Sequence, residues 1–329
     1  MNTVGKEVKM AKVLIIKLGY SETLDKEIGT TTSLGDVLRT TVILNYFKND
    51  DVAWLVDEKA YPLLEGNPFI KRILIFNLES VLQLQRERFD TVINLEKGPG
   101  VCAFSDSVNA WRRFGFRFDA DRGVAQAYDG AEKVLSLCLD LEKKKGNLKY
   151  WQDALASMIG MRWTPKEDYV LGFKPKSAVK YDIGFNWVVG DKWPNKTWPK
   201  KHWRKLEGLL KGKYKISWQR GLSNLYEYMD WLHGCRLIVT NDSLGMHLAI
   251  ASKKKIVALF GPTSSREVYL YGRGVILLPK DTYGCIPCLE SRCVQKTHCM
   301  EFIKPEEVKN TILKLLPKKG KITCIDPDD

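Results

Sequence analysis

CRLIVTNDSLGMHLA, residues Cys235–Ala249, is the stretch on which the fold turns. Leu237–Thr240 is short and β-branched, as a buried parallel strand is, and the segment from Gly245 to Ser252 reads as a helix. Between them Asn241, Asp242 and Ser243 break the strand, with Ser243 a candidate N-cap. A helix that starts here offers free backbone N–H groups and the positive end of its dipole, which together form a ready anion site. Gly245 lets a phosphate approach the backbone. His247 would face the same opening and can donate a hydrogen bond to a phosphate or a nucleotide. The plainer alternative is that Asp242 and Ser243 only cap the helix and that His247 is a satisfied interior histidine.

The same strand-to-helix pattern extends in both directions from this junction. Toward the C-terminus come a strand at Ile256–Phe260, a short strand at Val275–Leu278 and a closing helix at Pro305–Leu315. Toward the N-terminus come Leu225–Leu232 (helix), Tyr214–Trp218 (strand), Lys200–Leu210 (helix) and Asp182–Phe185 (strand). A polar, proline-bearing stretch from Trp163 to Lys180 separates this series from an earlier one. The earlier series has strands at Lys12–Lys17, Val52–Val56, Ile73–Phe76 and Thr91–Leu95, with helical patterns after Asp36, from Leu78 to Arg88, at Ala131–Leu139 and at Tyr150–Ile159. Cys102–Asp129, rich in Phe, Arg and Asp, has no clear period. The expected fold class is therefore α/β: two Rossmann-like domains of open parallel sheet flanked by helices, spanning 1–175 and 176–329, with a cleft between them.

Three more junctions carry candidate chemistry. Gly261-Pro262-Thr263 follows a strand as a tight turn suited to a nucleotide or phosphate, although such turns are common. Ser33-Leu34-Gly35-Asp36 opens a helix near the end of the first strand, where Asp36 can serve as a general base or merely complement the helix dipole. Tyr20, Ser21, Glu22, Asp25 and Glu27 lie just before it. Lys192 and Lys196, on a tryptophan-rich loop after the strand Asp182–Phe185, suit the growing charge of a diphosphate leaving group; the alternative is that both are solvated.

The chain carries 52 Lys plus Arg against 39 Asp plus Glu, a formal charge of +13, which favours anionic partners. No zinc-finger or RNA-binding signature accompanies it, so nucleic acid is not expected. An anionic membrane surface is about as compatible with the charge, and more expected once the chemistry of the motifs is included. No run approaches the length of a membrane span, and Val13–Ile16 is too short for a signal peptide core, so a cytoplasmic location is expected.

Taken in order, these pieces resemble the bacterial heptosyltransferases, the inverting ADP-heptose-dependent enzymes of glycosyltransferase family 9. The resemblance is carried by KVLIIKL (Lys12–Leu18), SLGDVLRTTVIL (Ser33–Leu44), KTWPKKHW (Lys196–Trp203), CRLIVTNDSLGMHLA (Cys235–Ala249) and VALFGPT (Val257–Thr263). It implies a GT-B fold, with the donor nucleotide on the second domain and the acceptor on the first. It also implies that Asp36 is the base that deprotonates the acceptor hydroxyl. Lys196 would contact the donor phosphates, with Lys192 a competitor because Lys-Trp-Pro also occurs four residues earlier. Asp242 would lie near the donor sugar hydroxyls. Ser243, Leu244 and Gly245 would offer backbone N–H groups to the diphosphate, and His247 would complete the motif.

The implied reaction moves a heptose or related sugar from an ADP-linked donor to a lipopolysaccharide-core or related anionic glycan, with no catalytic cofactor and with peripheral contact at the inner membrane. A protein-modifying, autotransporter-type heptosyltransferase and a transferase using another nucleotide sugar are alternatives. An oxidoreductase would need a G-x-G-x-x-G after the first strand, which is missing, and a non-enzymatic nucleotide-binding regulator would not need Asp36.

This chain departs from the family pattern twice. Leu244 stands where a glycine is expected, which suggests a shifted turn. About thirteen extra residues, 19–31, precede Ser33 on the side expected to hold the acceptor.

Of the eight cysteines, Cys102, Cys138, Cys235 and Cys324 are scattered, whereas Cys285, Cys288, Cys293 and Cys299 crowd into fifteen residues. Four thiolates so spaced can surround one tetrahedral zinc or iron ion, with His298 an alternative ligand. Free thiols are the other reading. Some heptosyltransferase-like proteins resemble this chain in having cysteines here, including iron-holding autotransporter-modifying ones. A structural zinc or iron ion is therefore expected.

Overall fold

Each short apolar run of the first half enters one sheet. Its strands are β1 (Lys12–Ile16), β2 (Asp51–Val56), β3 (Arg72–Ile75), β4 (Arg88–Asn94), β5 (Asn109–Asp119) and β6 (Val124–Ala127). They lie in the order β3-β2-β1-β4-β5-β6, all pairs parallel except β5 with β6. The structure, a computed structural model, describes residues 10–26, 28–220 and 224–317. Glu27 and Cys324 lie outside the described residues.

Helices α1 (Leu34–Thr40), α2 (Tyr61–Leu64), α3 (Leu78–Arg86), α4 (Pro99–Ser107), α5 (Glu132–Leu139), α6 (Leu141–Lys145) and α7 (Trp151–Met158) alternate with or follow these strands. The core of the sheet is aliphatic: Leu14, Ile16, Leu55, Val92 and Leu84 are sealed from solvent. The stretch 102–129, without a readable period, is the end of α4 and an antiparallel hairpin of β5 and β6. Its strand NAWRRFGFRFD hides its identity because only Phe116 and its neighbour Gly115 are fully buried along it. Gly115 has φ +89, and a Cβ there would stand 1.9 Å from the Asn94 carbonyl oxygen, so β5 can cross β4 only with glycine at this point.

The second sheet contains β7 (Tyr181–Asn186), β8 (Ile216–Trp218), β9 (Cys235–Asn241), β10 (Lys255–Leu259) and β11 (Gly274–Leu277), all parallel in the order β11-β10-β9-β7-β8. Helices α8 (Lys200–Leu210), α9 (Leu225–His233), α10 (Leu244–Ala251) and α11 (Pro305–Leu315) complete the chain. The core of this sheet is aromatic. Trp203 packs on Phe185 at 5.2 Å and on Trp198 at 4.9 Å between ring centres. At about 25 cal/mol per Å² and about 150–250 Å² per ring, each buried ring contributes roughly 4–6 kcal/mol.

The chain divides into two compact units. One holds the residues through Lys176 with 224–229 and Arg266–Tyr271; the other holds 177–220, Asp230–Ser265 and the residues from Gly272 onward. In each sheet the strand order reverses once, between β1 and β4 in the first and between β7 and β9 in the second. The carboxyl ends of strands at such a switch point are where open α/β sheets hold ligands. Among the described residues no helix is long and apolar enough to cross a membrane.

Candidate functional site

In the second unit, the switch point is built on two buried asparagines. Asn241, the last residue of β9, accepts a hydrogen bond from the Trp198 backbone N–H at 3.0 Å and donates to the Trp187 carbonyl at 3.1 Å. The Trp198 indole donates to the Ile303 carbonyl at 3.0 Å. These bonds pin the 192–199 loop against the strand end. Trp198 is thus an anchor of the loop, and Lys196 is a side chain it presents to Asp242. Lys196 reaches Asp242 with a 2.8 Å ion pair, and the Thr263 hydroxyl donates to the same carboxylate oxygen at 2.7 Å. Burial raises the pKa of Asp242, yet the Lys196 ammonium, and to a lesser degree His247 and Thr263, bring it below the usual carboxylate value. Lys196, rather than Lys192, is the lysine placed on Asp242.

Ser243 occupies the N-cap of α10 with extended dihedrals, but its side chain makes no cap hydrogen bond. Its hydroxyl instead accepts from Asn186, the last residue of β7, at 2.9 Å. Side-chain capping therefore does not compete for the first N–H groups of α10. Leu244 is the first helical residue and is not among the residues of positive φ. The turn is not shifted, because a helix that starts at Leu244 places no demand for left-handed dihedrals there. Gly245 and His247 are buried in α10, whose residues 245–250 are enclosed on every side. Gly261 serves packing: a Cβ there would meet the Met300 sulfur at 2.5 Å and the Cys299 sulfur at 2.9 Å. Pro262 accepts the Leu289 N–H at 2.7 Å.

Sequence reasoning did not single out Asn186 or Gln219, and it read Asn241, the last residue of β9, only as a strand breaker. Gln219 follows β8 and is 3% exposed, and among the described residues neither polar atom of its side chain has a partner, nor has the buried Ser264 hydroxyl. Buried polar atoms without partners are rare in folded proteins and mark places where a ligand can supply the missing bond.

In the first unit, the switch point is a buried network of charges. Asp36 is 2% exposed, and Lys17, directly after β1, meets its Oδ2 at 2.5 Å. Arg39, one turn along α1, grips Oδ1 with two nitrogens at 2.8 and 2.5 Å. Burial opposes ionisation of Asp36, but Lys17 and Arg39 outweigh it and hold the pKa at about 2. Glu96, after β4, also pairs with Lys17 at 3.2 Å and accepts the N–H groups of Leu18, Gly19 and Ser21. The only sequence signal for Lys17, Glu96 and Lys97 was a charged residue directly after a buried strand.

The expected metal centre is not formed. Among the described residues no three His, Cys, Asp or Glu side chains are placed to hold an ion, and Cys285, Cys288, Cys293 and Cys299 are free. Cys293 is exposed and Cys299 buried, and burial together with the nearby Cys288, Cys293 and Cys285 thiols pushes the Cys299 thiol up to about 11; the four are neighbours that are not placed around one ion. Short spacing brought the four into one loop without turning them to a common centre. The structural zinc or iron ion is accordingly withdrawn.

Comparison with known proteins supports the resemblance. Residues 221–298 match the model of glycosyltransferase family 9 (heptosyltransferase). Lipooligosaccharide heptosyltransferase 2 of Campylobacter jejuni is 39% identical over 82 residues, which span about a quarter of each chain. Lipopolysaccharide heptosyltransferase 1 of Pseudomonas aeruginosa is 29% identical, with 80% of this chain and 85% of that one covered. Among solved structures, the E. coli ADP-heptose lps heptosyltransferase II superposes with a TM-score of 0.65 at 15% identity, covering 92% of this chain and 98% of its own. The GT-B fold class expected from the sequence holds for this chain.

Proposed function

Because the chain is a relative of the glycosyltransferase family 9 heptosyltransferases, we propose that it is an inverting glycosyltransferase that moves a heptose from an ADP-linked donor to a lipopolysaccharide-core or related glycan. The observation that carries this reading is the Lys196–Asp242–Thr263 group at the end of β9, beside the N-terminus of α10 that Ser243 leaves without a side-chain cap. That arrangement suits a sugar diphosphate. Lys196 and the helix N–H groups would meet the phosphate charge, and Asp242 and Thr263 would meet sugar hydroxyls.

In the proposed reaction the Asp36 carboxylate takes the proton of an acceptor hydroxyl as its oxygen bonds to the anomeric carbon. The bond from that carbon to the diphosphate breaks, and ADP leaves with the electron pair. Asp36 is ionised at neutral pH, as a base must be. The charge of +13 suits an anionic glycolipid presented at a membrane surface.

The test offers ADP- and GDP-linked sugars to the purified protein with a core oligosaccharide acceptor, and product masses are measured. A heptose increment from ADP-heptose is expected. Transfer from GDP-linked sugars alone, or from none of the donors, overturns the reading.

A further inference from the structure

Residues 20–26 and 28–32 belong to an excursion whose ends meet: the Ser33 N–H donates to the Gly19 carbonyl at 2.7 Å, as in a compact loop closed on itself. Its first part lies on the charge network. Five consecutive carbonyls, Ser21 to Asp25, each accept a hydrogen bond from a lysine ammonium. Lys17 takes Ser21 at 2.5 Å, and Lys144 takes Leu24 at 2.6 Å. Lys97 takes Glu22 at 2.7 Å, Thr23 at 3.4 Å and Asp25. The strap also brings its own acids: Asp25 pairs with Lys144 at 3.0 Å and Glu22 with Arg39 at 3.8 Å. The Thr23 N–H then donates to Asp36 at 3.2 Å and completes its enclosure.

Two features set this strap apart from ordinary loop packing. Among the described residues Lys97 forms no ion pair, and its buried ammonium is held by neutral carbonyls and the Cys138 sulfur. Burial lowers its pKa accordingly. Without Glu22 and Asp25, the network would hold Lys17, Arg39, Lys97 and Lys144 against Asp36, Glu96 and Glu267, four cations to three carboxylates. Carbonyl oxygens are weaker partners for an ammonium than phosphate oxygens are.

We propose that the segment 21–25 is a displaceable internal counter-ion. It occupies an anion site made by Lys17, Lys97 and Lys144, and it covers Asp36 until a phosphate-bearing ligand takes its place. This rests on the reading of Asp36 as the base: an enclosed carboxylate cannot receive an acceptor hydroxyl, so a phosphorylated acceptor would open the site that it then uses. Such a ligand shifts the equilibrium by its preference for the open form.

The experiment is amide hydrogen exchange on the full chain, with and without inorganic pyrophosphate and with chloride of equal ionic strength as control. The Ser21 and Thr23 amides, bonded to Glu96 and Asp36, are the reporters. Pyrophosphate is expected to speed their exchange at least tenfold, and Lys97→Met to abolish the response. Unchanged exchange in the wild type overturns the proposal, as does an equal response in Lys97→Met. The wild-type arm decides even if that variant fails to fold. The outcome is independent of turnover, so this idea can fail while the transferase reading stands, and the reverse.

Discussion

Asp36 and Asp242 occupy matching places. Asp36, in the first turn of α1, is tied to the end of β1 by Lys17, and Asp242 directly follows β9; each meets a lysine, at 2.5 and 2.8 Å respectively. Their surroundings differ. The side chains of Asp36 and Lys17 have no exposure, and Arg39 adds a second cation. The side chains of Asp242 and Lys196 keep 12% and 15% exposure, and the Thr263 hydroxyl and His247 join them. One pair is sealed, and the other is open to a ligand. On the proposed reading, the same motif chemistry yields a base that must be uncovered before it acts and a donor-side group that keeps some exposure.

The largest expected effect breaks the comparison at its sealed end. Asp36→Ala should lower transfer by about 10²–10⁴-fold, the range of a lost general base, while ADP affinity stays within about twofold. Rates come from product masses and affinity from titration calorimetry. Turnover within tenfold of the wild type would remove Asp36 from the mechanism.

The open end is tested next. Lys196→Ala removes a charged partner of about 1.5–3 kcal/mol, which should weaken ADP binding by roughly 10–150-fold. Lys192→Ala should cost less, since Lys196 is the lysine placed on Asp242. Equal losses from the two substitutions, read by calorimetry, would show that the loop presents its lysines interchangeably.

How much of this was legible follows from what each region demands of its sequence. Strands such as Leu237–Thr240 sit in a parallel sheet and must be apolar, so they announce themselves. β5 does not, because most of its length needs no burial and its charges mask the period. Asp242 and Lys196 could be named because a short motif holds each one. Their meeting depends on Asn241 and Trp198, whose bond joins segments 43 residues apart and leaves no local trace. The strap was visible only as extra length. Its proposed role as a counter-ion depends on Lys97 and Lys144, which are 72 and 119 positions beyond Asp25. The cysteine cluster teaches the converse: spacing and resemblance were read as a metal centre, and among the described residues the sulfurs, though neighbours, are not placed around one ion.

The smallest expected effect is on stability in acid, and its sign follows from the direction of the shift. Asp36 has a folded pKa of about 2, below its unfolded value near 3.9. The stabilisation is therefore complete above about pH 4 and is lost as the pH falls toward about 2, an effect on the order of 2 kcal/mol for a group with no exposed side-chain surface. Urea midpoints measured from pH 4 down to pH 2 should fall in the wild type, and Asp36→Asn should flatten that limb. The variant also leaves Lys17 and Arg39 less well paired and starts from lower stability, so the slope is the quantity to compare rather than the level. Asp242 is shifted in the same direction mainly by one lysine, with smaller contributions from His247 and Thr263, so Asp242→Asn should flatten the limb less. Equal flattening by the two variants would mean that the sealed and open sites bind their carboxylates alike, and the contrast drawn between them would not survive.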